Sequence, residues 1–271
     1  LRSFLTTIPE DEIGFLGDTK WKMGGLFTVG LIPTLVRRAD ELIDMRNNFG
    51  LVILDEAHHC PASTFIKVIT YLNPFYLYGL TATPYRRDQL QEVMFSTIGP
   101  ELVRIGVEEV ENDGGIVLPK VRYRSIRSAH EGGNNIQTIL KKIVANDKRS
   151  ATIVGDVLKE ASAGNFCIVL TDRKVHAEKL FELISLSWPK TGIATGDYSR
   201  KYVGEQSALL NNKDITVLIC TFALLGEGFD VPFLNRAFIT MPFRAEAKAE
   251  QLIGRIQRTA PNKKDAIVYD Y

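Results

Sequence analysis

Short apolar, β-branched runs alternate with helical patterns along most of this 271-residue chain. The clearest run, Leu51–Asp55, reads LVILD, and similar runs occupy 166–171 and 215–221. Near-continuous apolar strands separated by helices indicate a parallel sheet with both faces covered. The pattern therefore predicts an α/β fold. With 45% hydrophobic and 24% charged residues, the composition excludes disordered, collagenous and coiled-coil chains.

The length corresponds to roughly two domains of about 150 residues each. The polar stretch 129–135, which contains Gly132-Gly133, is predicted as the linker. Residues 1–128 then form the first domain and residues 135–271 the second. The turn sequence at 112–115 predicts a hairpin between strands at 107–110 and 116–121. Helices are predicted at 34–47, 63–72, 88–97, 136–163 with a break near Asp147, 174–186, 202–210 and 245–253.

Charge and targeting signals exclude several classes of protein. The net charge is +1, so any attraction to nucleic acid must be local. No apolar run reaches the roughly 18–20 residues that a membrane span needs, and no signal peptide is evident. The sequence therefore predicts an intracellular protein, cytoplasmic or nucleoid-associated, with no membrane partner.

The three cysteines are scattered, which favours a reducing compartment over a disulfide scaffold. Cys167 and Cys220 lie in apolar runs and are predicted core residues. A zinc site at His58-His59-Cys60 is disfavoured, because three consecutive residues cannot comfortably supply three ligands.

Two carboxylates, Asp55 and Glu56, follow directly after the apolar strand at 51–54. Ligands bind at the carboxyl ends of strands in parallel sheets. Asp55 there can hold Mg²⁺ beside nucleotide phosphates, and Glu56 can orient and deprotonate an attacking water. The alternative is a polar strand end that caps the next helix, which needs only one acid.

The segment 55–58, Asp-Glu-Ala-His, resembles motif II of the superfamily 2 helicases and translocases. Other segments resemble further motifs in the family's order: 81–84 motif III, 167–176 motif IV, 221–230 motif V and 251–258, which matches Q-x-x-G-R-x-x-R, motif VI. The resemblance is closest to the branch of excision-repair helicases and restriction-enzyme motors. It implies two RecA-like parallel-sheet domains, the first truncated at its N-terminal side, with ATP and Mg²⁺ as cofactors.

Arg255 and Arg258 are one helical turn apart and can project toward one target. A guanidinium suits a γ-phosphate in transfer. Within the resemblance, Arg258 is the better candidate for an arginine finger and Arg255 for a supporting contact. Taken alone, two solvated arginines would be the simpler interpretation. The resemblance also implies that the arginines face Asp55 and Glu56 across a cleft, and that Gln251 reaches His58 or the phosphate there.

The resemblance implies roles for residues that local sequence alone would leave unassigned. Gly228 permits close backbone approach to the nucleotide, and Asp230 can accept a hydrogen bond from a ribose hydroxyl. Without the family, that segment reads as an ordinary loop. His58, Thr81 and Thr83 are expected to couple hydrolysis to movement.

Three threonines are candidate nucleic-acid contacts, because hydroxyl groups can donate to phosphate oxygens. Thr28 lies where the family has a DNA-contacting segment, and Thr171 and Thr221 end predicted strands. Their alternative role is that of strand-end or capping residues. Such contacts would be independent of base sequence and sensitive to salt.

The sequence departs from the family in one respect. No glycine is followed by lysine, so the phosphate-binding G-x-x-x-x-G-K-[ST] loop is absent from these residues. Only 54 residues precede Asp55, and the first residue is Leu1. The favoured interpretation is a motor that lacks the front of its first domain, and the alternative is a naturally degenerate, non-hydrolysing protein. This chain alone is expected to be inactive.

The predicted function is that of an ATP-dependent DNA helicase or translocase, acting on single-stranded or duplex DNA. One alternative is a non-hydrolysing helicase-like module that binds nucleic acid or a protein partner. The other is an RNA helicase, because the Asp-Glu-Ala-His string is shared between DNA and RNA motors.

Overall fold

The computed structural model describes residues 7–82, 91–126, 135–222, 224, 231–242 and 252–271. The chain divides into two compact units, Leu1–Arg104 and Ile105–Tyr271. In the part of the chain that the structure describes, no helix combines the length and the apolar character needed to span a membrane.

The strands are β1 Ile13–Leu16, β2 Trp21–Lys22, β3 Phe27–Gly30, β4 Leu51–Leu54, β5 Tyr76–Gly79, β6 Pro119–Tyr123, β7 Cys167–Thr171, β8 Thr191–Ala194, β9 Val217–Thr221, β10 Arg236–Ile239 and β11 Ala266–Asp270. The helices are α1 Ile32–Arg37, α2 Ala39–Asp44, α3 Ser63–Leu72, α4 Gln91–Ile98, α5 Val107–Asn112, α6 Ile136–Ala145, α7 Asp147–Ser162, α8 Lys174–Ser185, α9 Arg200–Asn211 and α10 at 252–256. Short 3-10 helices occupy Glu10–Glu12 and Ala57–His59.

The first unit contains two small sheets. In one, β1 pairs antiparallel with β2 and parallel with β3, in the order β2-β1-β3. In the other, β4 and β5 pair in parallel, with Leu54 opposite Gly79. Helices α1, α2 and α3 enclose a core that includes Leu35, Leu42 and Val68.

The second unit is built on one six-stranded parallel sheet, in the order β6-β11-β10-β7-β9-β8. Alternate residues of its strands face opposite sides. Ile168 and Leu218 belong to the core cluster that also contains residues of α9 and α10. Val169 and Ile219 belong to the cluster that contains residues of α7 and α8. A parallel sheet covered on both faces explains why β7 and β9 are buried throughout and apolar up to their terminal threonines, and it confirms the predicted fold class.

Most elements of the second unit lie within a few residues of their predicted positions. The break predicted near Asp147 is confirmed, because Asn146 accepts a hydrogen bond from the amide of Arg149 and so caps α7. In the first unit, the short strands β1 and β2 carry no strong alternation and were not predicted.

The predicted hairpin is wrong. Residues 107–112 form α5, which carries Glu108 and Glu109 in its first turn, where carboxylates favour a helix. The turn signal ends this helix, with Gly114 at φ +71°. The second predicted strand exists in part as β6, but it pairs in parallel with β11.

The pairing of β6 with β11 also affects where along the chain the first unit ends and the second begins. Residues 105–126 belong to the second unit in the structure, whereas the linker was expected at 129–135, mostly outside the described residues. The sheet holds this segment through hydrogen bonds to the last strand, in which each paired residue lies 147 positions later in the chain. No local sequence signal predicts such a pairing.

Candidate functional site

The Asp-Glu-Ala-His segment forms a tight turn directly after β4. Glu56 adopts the left-handed conformation, with φ 50° and ψ 47°, and its amide donates to Asp55 Oδ1 at 2.9 Å. This conformation costs about 1–2 kcal/mol in a residue other than glycine. Both side chains are exposed at the carboxyl end of the strand, the position at which parallel sheets bind ligands.

The turn is anchored on β5 through Ala57, whose side chain is buried. The amide of Ala57 donates to the carbonyl of Leu80 at 2.9 Å. Gly79 permits this approach, because a Cβ added there would lie 2.8 Å from the Cβ of Ala57. Two neighbouring strands therefore hold the carboxylates in place.

His58 links motif II to the end of β5. Its Nδ1 lies 3.0 Å from Thr81 Oγ1 and 3.3 Å from Glu56 Oε2. A neutral Nδ1 would accept from the Thr81 hydroxyl, whereas a protonated Nδ1 would donate to the carboxylate. The structure thus brings together three residues that the sequence predicted for the site: Glu56, His58 and Thr81.

The chemistry of the turn suits a hard cation. The exposed carboxylate of Asp55 offers oxygen, the ligand that Mg²⁺ prefers beside phosphates. The turn is less suited to zinc, because Cys60 is fully buried. Burial raises the pKa of its thiol, and this disfavours the thiolate form that binds a metal. In the described ranges no group of three or more His, Cys, Asp or Glu side chains is arranged to hold a metal ion.

Motif VI lies in the second unit, at and after α10. Arg255 is within the helix and half-buried, whereas Arg258 is exposed and lies two residues beyond the helix end. The amide of Arg258 donates to the carbonyl of Arg255 at 3.4 Å, and its backbone forms an antiparallel bridge with Ile116. The two arginines are one turn apart, as the sequence spacing predicted. Arg258, however, lies beyond the helix, where its backbone pairs with that of Ile116.

The segment that carries these arginines is also held by Lys263, a residue that sequence reasoning did not select. Its Nζ donates to the carbonyls of Ile256 and Arg258 at 2.7 and 2.6 Å. A lysine in a polar loop between Pro261 and Asp265 gives no sequence signal for such a role.

The three candidate nucleic-acid contacts differ in accessibility. Thr28 is half-buried in β3, and its hydroxyl accepts from the amide of Gly24 at 3.1 Å. Thr171 is fully buried, and its hydroxyl lies 3.0 Å from His176 Nδ1. Thr221 is buried, and its hydroxyl has no hydrogen-bond partner within the described structure. In this conformation Thr171 acts as a strand-end residue whose hydroxyl is hydrogen-bonded within the fold, which is the alternative role given for it above.

Four predicted site residues, Thr83, Gly228, Asp230 and Gln251, lie outside the described residues. Their roles in coupling and nucleotide binding stay predictions. The two cysteines predicted to be core residues, Cys167 and Cys220, are buried in β7 and β9, which confirms that prediction.

Comparison with known proteins adds independent information. The family model described as type III restriction enzyme, res subunit, matches residues 11–86. The chain is 25% identical over 270 residues to Probable helicase D10 of Escherichia phage T5, covering 96% of this chain and 56% of that protein. It is 22% identical over 261 residues to the ATP-dependent DNA helicase uvsW of Enterobacteria phage T4, covering 93% of this chain and 51% of that protein. The chain thus spans about half the length of these relatives.

A solved fragment, classed as the HsdR subunit of a type I restriction enzyme from Vibrio vulnificus YJ016, has the same fold. Its TM-score is 0.73 at 17% identity, covering 97% of this chain and 50% of that chain. These matches together confirm the resemblance to superfamily 2 helicases and the RecA-like character of the fold.

Proposed function

We propose that this chain is part of an ATP-dependent DNA helicase or translocase, and that its Asp-Glu-Ala-His turn takes part in ATP hydrolysis. The observation that carries the proposal is the position of His58 Nδ1, 3.3 Å from Glu56 Oε2 and 3.0 Å from Thr81 Oγ1. A motor must link the state of its phosphate site to the rest of the domain. His58 supplies such a link between the proposed base and the loop that follows β5.

Each residue has a role that its chemistry supports. Asp55 would hold Mg²⁺, which when bound neutralises charge on the nucleotide phosphates. Glu56 orients the attacking water and accepts its proton, and its exposed carboxylate is accessible to that water. Arg258 and Arg255 stabilise negative charge that develops on the transferred phosphoryl group.

DNA is the nucleic acid that we propose, because the matching family model is that of a restriction enzyme and one relative across most of this chain is named as a DNA helicase. Another relative, across 90% of this chain, is named as an RNA helicase, so the tests below compare the two nucleic acids. Thr28 and Thr221 are the better candidates for phosphate contacts, since the hydroxyl of Thr171 is engaged by His176. Such contacts would bind DNA without sequence preference, and affinity would fall steeply as salt rises.

The first test is steady-state ATP hydrolysis by the full product of the gene that encodes this chain, with and without single-stranded DNA. Glu56→Gln should abolish DNA-stimulated turnover while ATP binding persists, because the base is lost and the metal site remains. Glu92→Gln, an exposed position on α4, is the matched control and should behave as wild type. A Glu56→Gln protein that retains most of its activity would remove Glu56 from the mechanism.

The second test addresses the arginines. Arg258→Ala should reduce turnover about 10³-fold with a smaller effect on ATP affinity, and Lys264→Ala serves as the control. A wild-type protein that binds DNA without hydrolysing ATP would instead support the non-hydrolysing module. Stimulation by RNA but not by DNA would support the RNA helicase.

A further inference from the structure

The Lys263 side chain makes three hydrogen bonds, all to backbone carbonyls. Its Nζ lies 2.6 Å from the carbonyl oxygen of Arg258, 2.7 Å from that of Ile256 and 3.1 Å from that of Pro232. An ammonium group has three donors and no acceptor, so this arrangement uses its full donor capacity. Burial lowers the pKa of Lys263 to about 8, and the side chain is therefore predominantly charged at pH 7.

The three carbonyls belong to two segments that are distant in sequence. Ile256 is the last residue of α10, and Arg258 follows it, so both carbonyls lie where a helix leaves acceptors without intrahelical partners. Pro232 lies on the segment that leads into β10, shortly after motif V. A cation at a helix C-terminus is also favoured by the helix dipole.

A second contact holds the same segment. The amide of Val117 donates to the carbonyl of Gln257 at 2.7 Å, between the two carbonyls that Lys263 binds. The backbone from Ile256 to Arg258 is therefore fixed at three successive carbonyls. The side chains of Leu252 and Ile256 anchor the helix itself in the core independently of the lysine.

We infer that Lys263 is a positioning residue for motif VI: it holds the backbone that carries Arg255 and Arg258 in register with Pro232, on the segment that leads into β10. This inference rests on the proposed function, because it assigns those arginines to ATP hydrolysis. Since the hydrogen bonds of the Lys263 side chain go to backbone carbonyls, its loss should misplace the arginines without removing any group assigned to ATP or DNA.

The test compares Lys263→Met with Lys264→Met in the full gene product. Lys264 is adjacent and exposed, so it controls for the loss of one positive charge. Hydrogen exchange of the amides at 252–258 should become at least about tenfold faster in Lys263→Met than in the control, while exchange in β7 and β9 is unchanged. Equal exchange in the two variants would overturn the inference.

The kinetic arm measures DNA-stimulated ATP hydrolysis. Lys263→Met should lower kcat at least about tenfold and leave KM for ATP within about twofold, which a general loss of folded protein would not produce in an active-site-normalised assay. Should Lys263→Met not fold, Lys263→Arg keeps a cationic donor and should retain kcat within about threefold. A folded Lys263→Arg protein with a loss as large as tenfold would contradict the role of the donated hydrogen bonds.

The two arms separate this inference from the proposed function. A wild-type protein without ATPase activity would refute the proposed function, and the exchange measurement would still decide whether Lys263 holds the segment. An active wild type with unchanged kcat in Lys263→Met would refute the inference alone.

Discussion

Strand β4 of the first unit and strand β7 of the second have similar apolar sequences, but only β7 is buried along its whole length. In β4 the last residue, Leu54, is buried, whereas Ile53 is 52% exposed. The reason is the number of neighbours. Strand β7 lies between β9 and β10 with helices on both faces, while the described part of the first unit pairs β4 with β5 alone. Apolar character predicts a strand, but its neighbours decide how much of it is buried.

The polar groups of the two units differ in the same way. In the second unit, Glu160, Arg236 and His176 are buried and bonded to other groups of the fold. In the first unit, the carboxylates of Asp55 and Glu56 are exposed. The exposed carboxylates at the strand end are therefore available to a ligand, whereas the buried polar groups of the second unit stabilise the fold.

Each unit contains one of the two tryptophans, which allows the stability of the units to be measured separately. Trp21 is in the first unit and Trp188 in the second. Fluorescence of a Trp188→Phe background reports on the first unit, and that of a Trp21→Phe background reports on the second. Urea unfolding in these backgrounds serves the three predictions below.

The largest difference is expected for ion pairs. Arg236→Met leaves the buried carboxylate of Glu160 and that of Asp265 without their cation, and it should lower the free energy of unfolding of the second unit by about 3–5 kcal/mol. Arg37→Met removes the exposed pair with Asp18 and should leave the stability of the first unit nearly unchanged, because solvent screens an exposed pair. Equal losses would show that burial does not distinguish the units.

A smaller difference is expected for apolar strand residues. Ile219→Ala in β9 removes a fully buried side chain and should destabilise the second unit by about 3 kcal/mol. Ile53→Ala in β4 should destabilise the first unit by less than about 1 kcal/mol, because half of that side chain is already in water. A loss at Ile53 as large as that at Ile219 would mean that β4 is covered in solution.

The remaining effect concerns pH and the second unit. Burial, together with the positive charge of Arg149, lowers the pKa of His176 to about 4, so the histidine is neutral in the folded protein. The unfolded chain binds a proton below pH 6.5 and the folded chain does not. Stability is therefore lost as pH falls from 6.5 to 4, by up to about 3 kcal/mol.

Unfolding of the second unit at pH 7 and at pH 4.5 tests this expectation. His176→Gln keeps a polar side chain beside Thr171 but does not titrate in this range. When the pH falls from 7 to 4.5, the free energy of unfolding of the second unit should therefore decrease by about 2 kcal/mol less in the variant than in wild type. The first unit, read from Trp21, should respond identically in both proteins. Parallel pH dependences of the second unit in wild type and variant would contradict the assignment.

The site could be predicted only in part from sequence. Residue type and position predict the roles of Asp55 and Glu56, and the resemblance to a helicase motif predicts those of the two arginines. Lys263 was not found, since its three partners are backbone carbonyls, which every residue has. The contact between the Thr171 hydroxyl and His176 could not be predicted either, because His176 lies on the following helix.

By itself the sequence determined where most strands and helices of the second unit lie, and it predicts which residues carry phosphate chemistry. Periodicity, caps and motif spacing are local, and a few adjacent residues suffice to express them. Only the tertiary structure decided that β6 pairs with β11 and that Glu56, His58 and Thr81 meet at adjacent strand ends. Those outcomes depend on pairings between residues far apart in the chain, whose free energies are set by packing over the whole unit rather than by any one segment.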